Sequence, residues 1–229
     1  KPMSGHADVV EPRDEEVEIA VGLVRLEGHL RVPAAPIGIV LFAHGSGSSR
    51  LSPRHRAVAD VLHDARIATL LFDLLTPPEY DEGSHVFDID LLMRRLVGAS
   101  GWLRERQGMA RVPLGYFGAS TGAAAALAAA AEWGEHVGAI VSRGGRPDLA
   151  ADWLGDVDAP TLFVVGELDS TVLDLTRRSQ RDMVCETDVL VIPGAGHLFE
   201  EPGALDQVAA AARDWFVHHL PRPGRWAAG

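Results

Sequence analysis

The chain has 229 residues, 47% apolar and 23% charged; at about 150 residues per domain that is one large or two small globular domains, and disorder, collagen and coiled coil are excluded. The formal net charge is −11, from 21 basic and 32 acidic residues, so no nucleic-acid partner is expected, because phosphate binding demands a basic face. One cysteine, Cys185, rules out an intrachain disulfide and suits a reducing, cytoplasmic setting.

The first twenty residues carry Asp8, Glu11, Asp14, Glu15, Glu16 and Glu18 and no apolar run, so they do not read as a signal peptide; residues 1–8 read as a flexible tail. Residues 15–20 and 22–32 predict two strands joined by a tight turn, an antiparallel edge. The run 37–43 (IGIVLFA) predicts a strand covered on both faces, because it is apolar without alternation. Ser52 as N-cap and Pro53 at the first helical position open a helix with Val58, Val61, Leu62 and Ala65 on one stripe. A strand is predicted over 67–73. Residues 76–88, with Pro77, Pro78 and Gly83, are the longest irregular segment, either a small cap over a site or a solvated loop. Ile89, Leu92, Met93 and Leu96 mark the next helix.

Residues 112–131 run twenty positions without a charge, long enough to test for a membrane span. Pro113, Gly115, Gly118, Ser120 and Gly122, followed by alanines, predict instead a strand, a tight turn and a buried helix, and no membrane association is expected. Strands over 137–142, 161–166 and 189–193 follow. Leu205, Val208, Ala209, Ala212, Trp215 and Phe216 mark the clearest amphipathic helix, and residues 221–229 read as a second tail. Strands alternating with helices imply right-handed crossovers. The expectation is a single α/β domain over 1–229, a mainly parallel sheet of about eight strands with helices on both faces. The sequence carries no signal for an oligomeric state.

In such a sheet ligands bind at the carboxyl ends of the strands, and four of those ends carry suggestive residues. Gly118-Ala119-Ser120-Thr121-Gly122 lies between a strand and a helix, where a nucleophile on a strained turn tolerates little bulk two residues to either side. G-x-S-x-G alone arises by chance in roughly one glycine-rich chain in ten of this kind, so its placement carries the reading. His44-Gly45-Ser46-Gly47-Ser48-Ser49 follows the 37–43 strand. The Ser46 amide, or that of Gly45, would join the Thr121 amide in a two-donor oxyanion hole; a phosphate cradle is the competing reading, but the lysine of a P-loop is missing. His44 itself reads as structural. Asp169, closing 161–166, is the carboxylate to orient an imidazole, with Asp148 in reserve and Glu167 behind it. His197, in Gly194-Ala195-Gly196-His197, is the base. His6, His29, His55, His63, His85, His136, His218 and His219 read as surface or capping residues. The order Ser120, Asp169, His197 is the nucleophile–acid–base order of one hydrolase architecture. Neither H-E-x-x-H nor a Cys/His cluster occurs, so no metal and no cofactor are expected.

The stretches LFAHGSGSS (41–49), YFGASTGAAAAL (116–127), VSRGGRPDLA (141–150), APTLFVVGELD (159–169) and PGAGHLFEEPGAL (193–205) resemble the α/β-hydrolase fold and, within it, the dienelactone-hydrolase-like bacterial hydrolases. The resemblance implies Ser120 as nucleophile, His197 as base, Asp169 as acid, and Ser46 and Thr121 as oxyanion donors. Dienelactone hydrolases proper use a cysteine nucleophile, whereas position 120 is serine and Cys185 lies away from any strand end. Ester hydrolysis of a small molecule is therefore expected, with dienelactone itself in doubt. Similar chains occur linked to phosphoribosyltransferase domains; none is read in these residues. Arg143 and Arg146 follow a central strand, so one of them lines the pocket and favours an anionic substrate, or pairs with Asp148 or Asp169. Two rivals share the fold: a non-catalytic ligand-binding module, and an acyltransferase or C–C hydrolase with the same three residues.

Overall fold

The structure, a computed structural model, describes residues 10–220; the tails expected at 1–8 and 221–229 lie outside the described residues. In chain order the elements are β1 (Arg13–Val21), β2 (Val24–Val32), β3 (Gly38–Ala43), α1 (Pro53–Asp64), β4 (Ile67–Phe72), α2 (Pro77–Asp81), α3 (Ile89–Arg104), β5 (Leu114–Ala119), α4 (Thr121–Trp133), β6 (Ala139–Arg143), β7 (Thr161–Gly166), α5 (Ser170–Ser179), β8 (Thr187–Ile192) and α6 (Ala204–His219). Short 3₁₀ segments occupy His85–Phe87, Gly134–His136, Pro147–Asp156 and Gln180–Asp182.

One eight-stranded sheet runs in the order β1-β2-β4-β3-β5-β6-β7-β8. β1 and β2 pair antiparallel, β2 meets β4 antiparallel, and every later pairing is parallel. β3, β4, β5, β6 and β7 are buried at every residue, which is why they read as unbroken apolar runs. Two cores flank the sheet. Leu92, Leu96 and Ala99 of α3 and the alanines of α4 cover one face, and Val58 and Leu62 of α1 with Val208 and Phe216 of α6 cover the other. Ten successive residues of α4, Thr121–Ala130, are buried, so small side chains let this helix lie close on the sheet. Among the described residues no helix is long and apolar enough to cross a membrane.

Four local expectations change. Ser52 occupies the N-cap of α1, but its hydroxyl makes no capping bond; its carbonyl accepts the Arg56 N–H at 3.1 Å. Residues 76–88 are not irregular: the Thr76 N–H donates to the Glu79 carboxylate at 2.8 Å and starts α2, and Glu79 pairs with the buried Arg95 at 2.5 Å. His55 and His219, expected at the surface, are buried. His55 packs near the rings of Phe42 and Phe117, with centroids 5.9 and 6.2 Å away, and His219 packs against Trp215 with ring centroids 4.2 Å apart and the rings tilted.

Candidate active site

The turn between β5 and α4 is tightly packed. Ser120 has φ +52° and ψ −123°, a left-hand-side conformation that a non-glycine residue adopts only when its surroundings impose it. The glycines show what imposes it. A Cβ at Gly122 would run into the carbonyl oxygens of Ala43 and His44, and one at Gly118 into the backbone of Ala123, so β5, α4 and the end of β3 meet only because both positions lack side chains. The Ser120 N–H reaches the Arg143 carbonyl at 3.4 Å, and the Ser120 carbonyl accepts from Arg146 N–H at 3.1 Å. The turn is thereby tied to the end of β6, and the half-buried Ser120 side chain stands beside the loop that follows β3. A Cβ at Gly45 would lie 2.8 Å from Ser120 Cβ and 3.5 Å from its Oγ.

That loop is held by His44. The Leu74 N–H donates to His44 Nε2 at 3.1 Å, which leaves the proton on Nδ1 to donate to the Gly45 carbonyl at 3.1 Å. Burial lowers the His44 pKa, in keeping with this neutral tautomer. Arg50 anchors the far end of the loop: its N–H donates to Asp73 at 2.8 Å, and its guanidinium bridges Glu16 on β1 at 3.0 Å and Glu27 on β2 at 2.9 Å. The Ser46 N–H points at α4 and donates to Thr121 Oγ1 at 3.1 Å.

The third loop follows β8. His197 Nδ1 lies 2.6 Å from Asp169 Oδ2, a short charge-assisted contact, with Asp169 nearly covered and the His197 ring partly exposed. Two carboxylates shape the loop from below. Glu167 accepts from the Gly194 N–H at 2.7 Å, and Glu201 accepts from the Gly196 N–H at 2.9 Å. A Cβ at Gly144, the residue after Arg143, would lie 3.5 Å from His197 Cε1, so the imidazole and the Ser120 turn flank the same end of β6. Glu167 thus serves the loop, and Asp148, the reserve acid, is spent elsewhere.

It is spent on Arg146, which donates to Asp148 through Nε at 2.8 Å and Nη2 at 2.7 Å. Arg143 differs. It is buried, with Nε and Nη1 lacking any partner among the described residues, its guanidinium 5.7 Å from the Phe199 ring. Burial, with Arg54 adding to it, pushes the Arg143 pKa down to about 10. His55 Nε2, also buried without a partner among the described residues, lies close enough to feel its charge. Burial first, then the charges of Arg143 and Arg54, push His55 down to about 3. Glu201 and Arg50 are the contributors that the sequence did not single out, while Glu167, a weaker candidate acid, holds the Gly194 N–H instead and His55, expected at the surface, is buried. The only signal for Glu201 was its closeness to the glycine loop.

A cleft of about 650 Å³ opens beside this site. It is lined by the His44 loop (His44, Gly47, Ser48, Leu51), by the start of α1, by β2 at Leu26 and by α2 at Tyr80. Ser120, Asp169 and His197 do not line it; the loop after β3 is the wall the two spaces share.

No family model matches the chain. Two Mycobacterium tuberculosis proteins, both provisionally named phosphoribosyl transferases, are 58% identical to it over 212 residues, 93% of this chain but 48% of their own; the chain therefore spans about half the length of these curated relatives. Among solved structures, a dienelactone hydrolase from Anabaena variabilis is similar with a TM-score of 0.89 and 51% identity, over 91% of this chain and 99% of that one. Est1E from Butyrivibrio proteoclasticus shares the fold, with a TM-score of 0.77 at 14% identity, over 90% and 99% of the two chains.

Proposed function

Because the chain belongs to the dienelactone-hydrolase-like family of α/β hydrolases, we propose that it cleaves a carboxylic ester of a small molecule through an acyl-enzyme on Ser120. His197 removes the Ser120 proton, and Oγ attacks the ester carbonyl. The resulting oxyanion is received at the Thr121 amide and the Ser46 side of the loop. His197 then returns its proton to the leaving alcohol, and water cleaves the acyl-enzyme by the same route. Asp169 holds the imidazole with its proton on Nδ1 and offsets the charge that forms on it. The observation that carries this reading is the 2.6 Å His197–Asp169 contact, made at the end of the sheet where Ser120 is strained outward at φ +52°.

The transferase name of the mycobacterial relatives describes proteins of which this chain spans 48%. The test is a fluorophosphonate probe followed by peptide mass mapping, together with turnover of short and long p-nitrophenyl esters. The adduct is expected on Ser120, and Ser120→Ala should lose both adduct and turnover. A Ser120→Ala variant with full esterase activity ends the assignment. A clean adduct with no ester turned over points to an acyltransferase or C–C hydrolase instead.

Substrate charge is read through Arg143. Arg146 already satisfies a carboxylate within its own loop, whereas Arg143 holds two buried N–H groups without acceptors among the described residues, and such groups are costly unless something pairs with them. Arg143 is therefore the residue that selects an anionic ester. Matched neutral and anionic esters should be discriminated less well by Arg143→Ala and equally well by Arg146→Ala. Unchanged discrimination in both removes this part of the reading.

A further inference from the structure

The Ser46–Thr121 hydrogen bond joins the two residues that flank the attacked carbonyl, and it raises a problem. The Ser46 N–H is occupied: it donates to Thr121 Oγ1 at 3.1 Å. An amide engaged by a hydroxyl oxygen has little left to offer a substrate oxyanion unless the hydroxyl itself takes over the task. A threonine hydroxyl has one proton to give and two lone pairs. Among the described residues, Thr121 Oγ1 makes this one bond, in which it is the acceptor, so its own proton remains available. The side chain is 2% exposed and sits on the first residue of α4, directly after Ser120. Its β-branch restricts χ1, and the Ser46 N–H fixes the oxygen further.

We propose that the Thr121 hydroxyl is an oxyanion donor in its own right: it accepts the Ser46 N–H and gives its proton to the oxygen that becomes negative when Ser120 attacks. Thr121 then contributes two donors, backbone and side chain, and the Ser46 amide acts through it. Accepting the Ser46 bond polarises the O–H, because donors in series strengthen one another in a site shielded from water. The bond to the oxyanion is charge-assisted and makes its largest contribution only once the negative charge has formed. This inference rests on the Ser120 acyl-transfer reading above.

Thr121→Val keeps the shape and removes the O–H, and Thr121→Ser keeps the O–H. With p-nitrophenyl acetate, Thr121→Val should lower kcat by about 100- to 1,000-fold, the span of a single oxyanion donor, and leave KM within about twofold. Thr121→Ser should recover to within about threefold of wild type. The readout a merely structural residue would not move is a matched inhibitor pair. A trifluoromethyl ketone, which adds the serine and becomes an oxyanion, should bind Thr121→Val more weakly by the same factor as kcat falls, while the corresponding methyl ketone binds unchanged. Thr121→Ala serves the same purpose should the valine variant not fold. Wild-type or faster turnover by Thr121→Val overturns the proposal, since the hydroxyl would then be blocking the Ser46 amide. Equal loss of both ketones overturns it too. Ser120→Ala is the control: activity retained there defeats the underlying reading, whereas a dead Ser120→Ala beside an unaffected Thr121→Val defeats the threonine alone.

Discussion

At the scale of single residues, the most consequential environment is that of the buried His55, close enough to Arg143 to feel its charge. His55 is 2% exposed, its Nε2 has no partner among the described residues, and the charges of Arg143 and Arg54 reinforce what burial does to its pKa, now about 3. In the unfolded chain the same imidazole titrates near its ordinary 6.5. Between those two values the unfolded state binds the proton and the folded state does not, so acidification favours unfolding. The contribution is present in full above about pH 6.5 and is lost progressively as pH falls toward about 3. Urea titrations at pH 7 and 4.5 should show the wild type losing about 2 kcal/mol more than His55→Leu over that interval. Parallel losses would mean that His55 is solvated or charged in the folded protein.

At the scale of elements, the strand–turn–helix at 114–133 depends on what its glycines do not carry. The neighbours of a Cβ at Gly122 are the carbonyls of Ala43 and His44, which are backbone and cannot swing aside. Gly122→Ala is expected to destabilise the protein by about 3 kcal/mol or more, or to prevent folding. Gly101 is the internal comparison. It lies in α3, and a Cβ there meets nothing within 4 Å, so Gly101→Ala should stabilise the protein by up to about 1 kcal/mol through helix propensity. Thermal unfolding of the two variants should move in opposite directions. A Gly122→Ala protein with wild-type Tm removes the steric account of the turn. Element identity was legible wherever packing is local or two-sided: the five central strands announced themselves by apolar runs, and α6 by its stripe. Residues 76–88 misled because Pro77, Pro78 and Gly83 read as breakers, whereas proline at the start of a short helix is compatible with it and Glu79 closes the turn.

At the scale of the whole molecule, the end of α6 seals the sheet. Leu220 is 1% exposed; its side chain fills the space a Cβ at Gly38 would take, and lies 3.2 Å and 3.4 Å from where Cβ atoms would stand at Gly115 and Gly138. One side chain thus locks the last helix against β3, β5 and the entry to β6. Leu220→Ala leaves a cavity spanning those contacts and should cost about 2–5 kcal/mol, seen as an earlier urea midpoint with ester turnover at low temperature retained. Turnover lost together with stability would show that this end of the sheet communicates with the site at the other.

The order of the elements, the parallel sheet and the three loops bearing Ser46, Ser120 and His197 followed from the amino-acid sequence alone, because each is announced by a short-range signal: an unbroken apolar run, glycines two residues either side of a serine, a histidine after a glycine pair. Pairing did not follow. The Asp169–His197 contact spans 28 residues and the Ser46–Thr121 bond spans 75, and no local pattern encodes which groups meet across such distances. The two arginines three positions apart show the same limit. Arg143 ends β6 and turns into the core beside Phe199, while Arg146 lies past Gly144 and Gly145 and closes on Asp148. Residue type and spacing made both of them suitable for an anion. Only the folded sheet decided which one was left without a partner among the described residues, because burial and pairing are properties of the neighbours that the fold supplies.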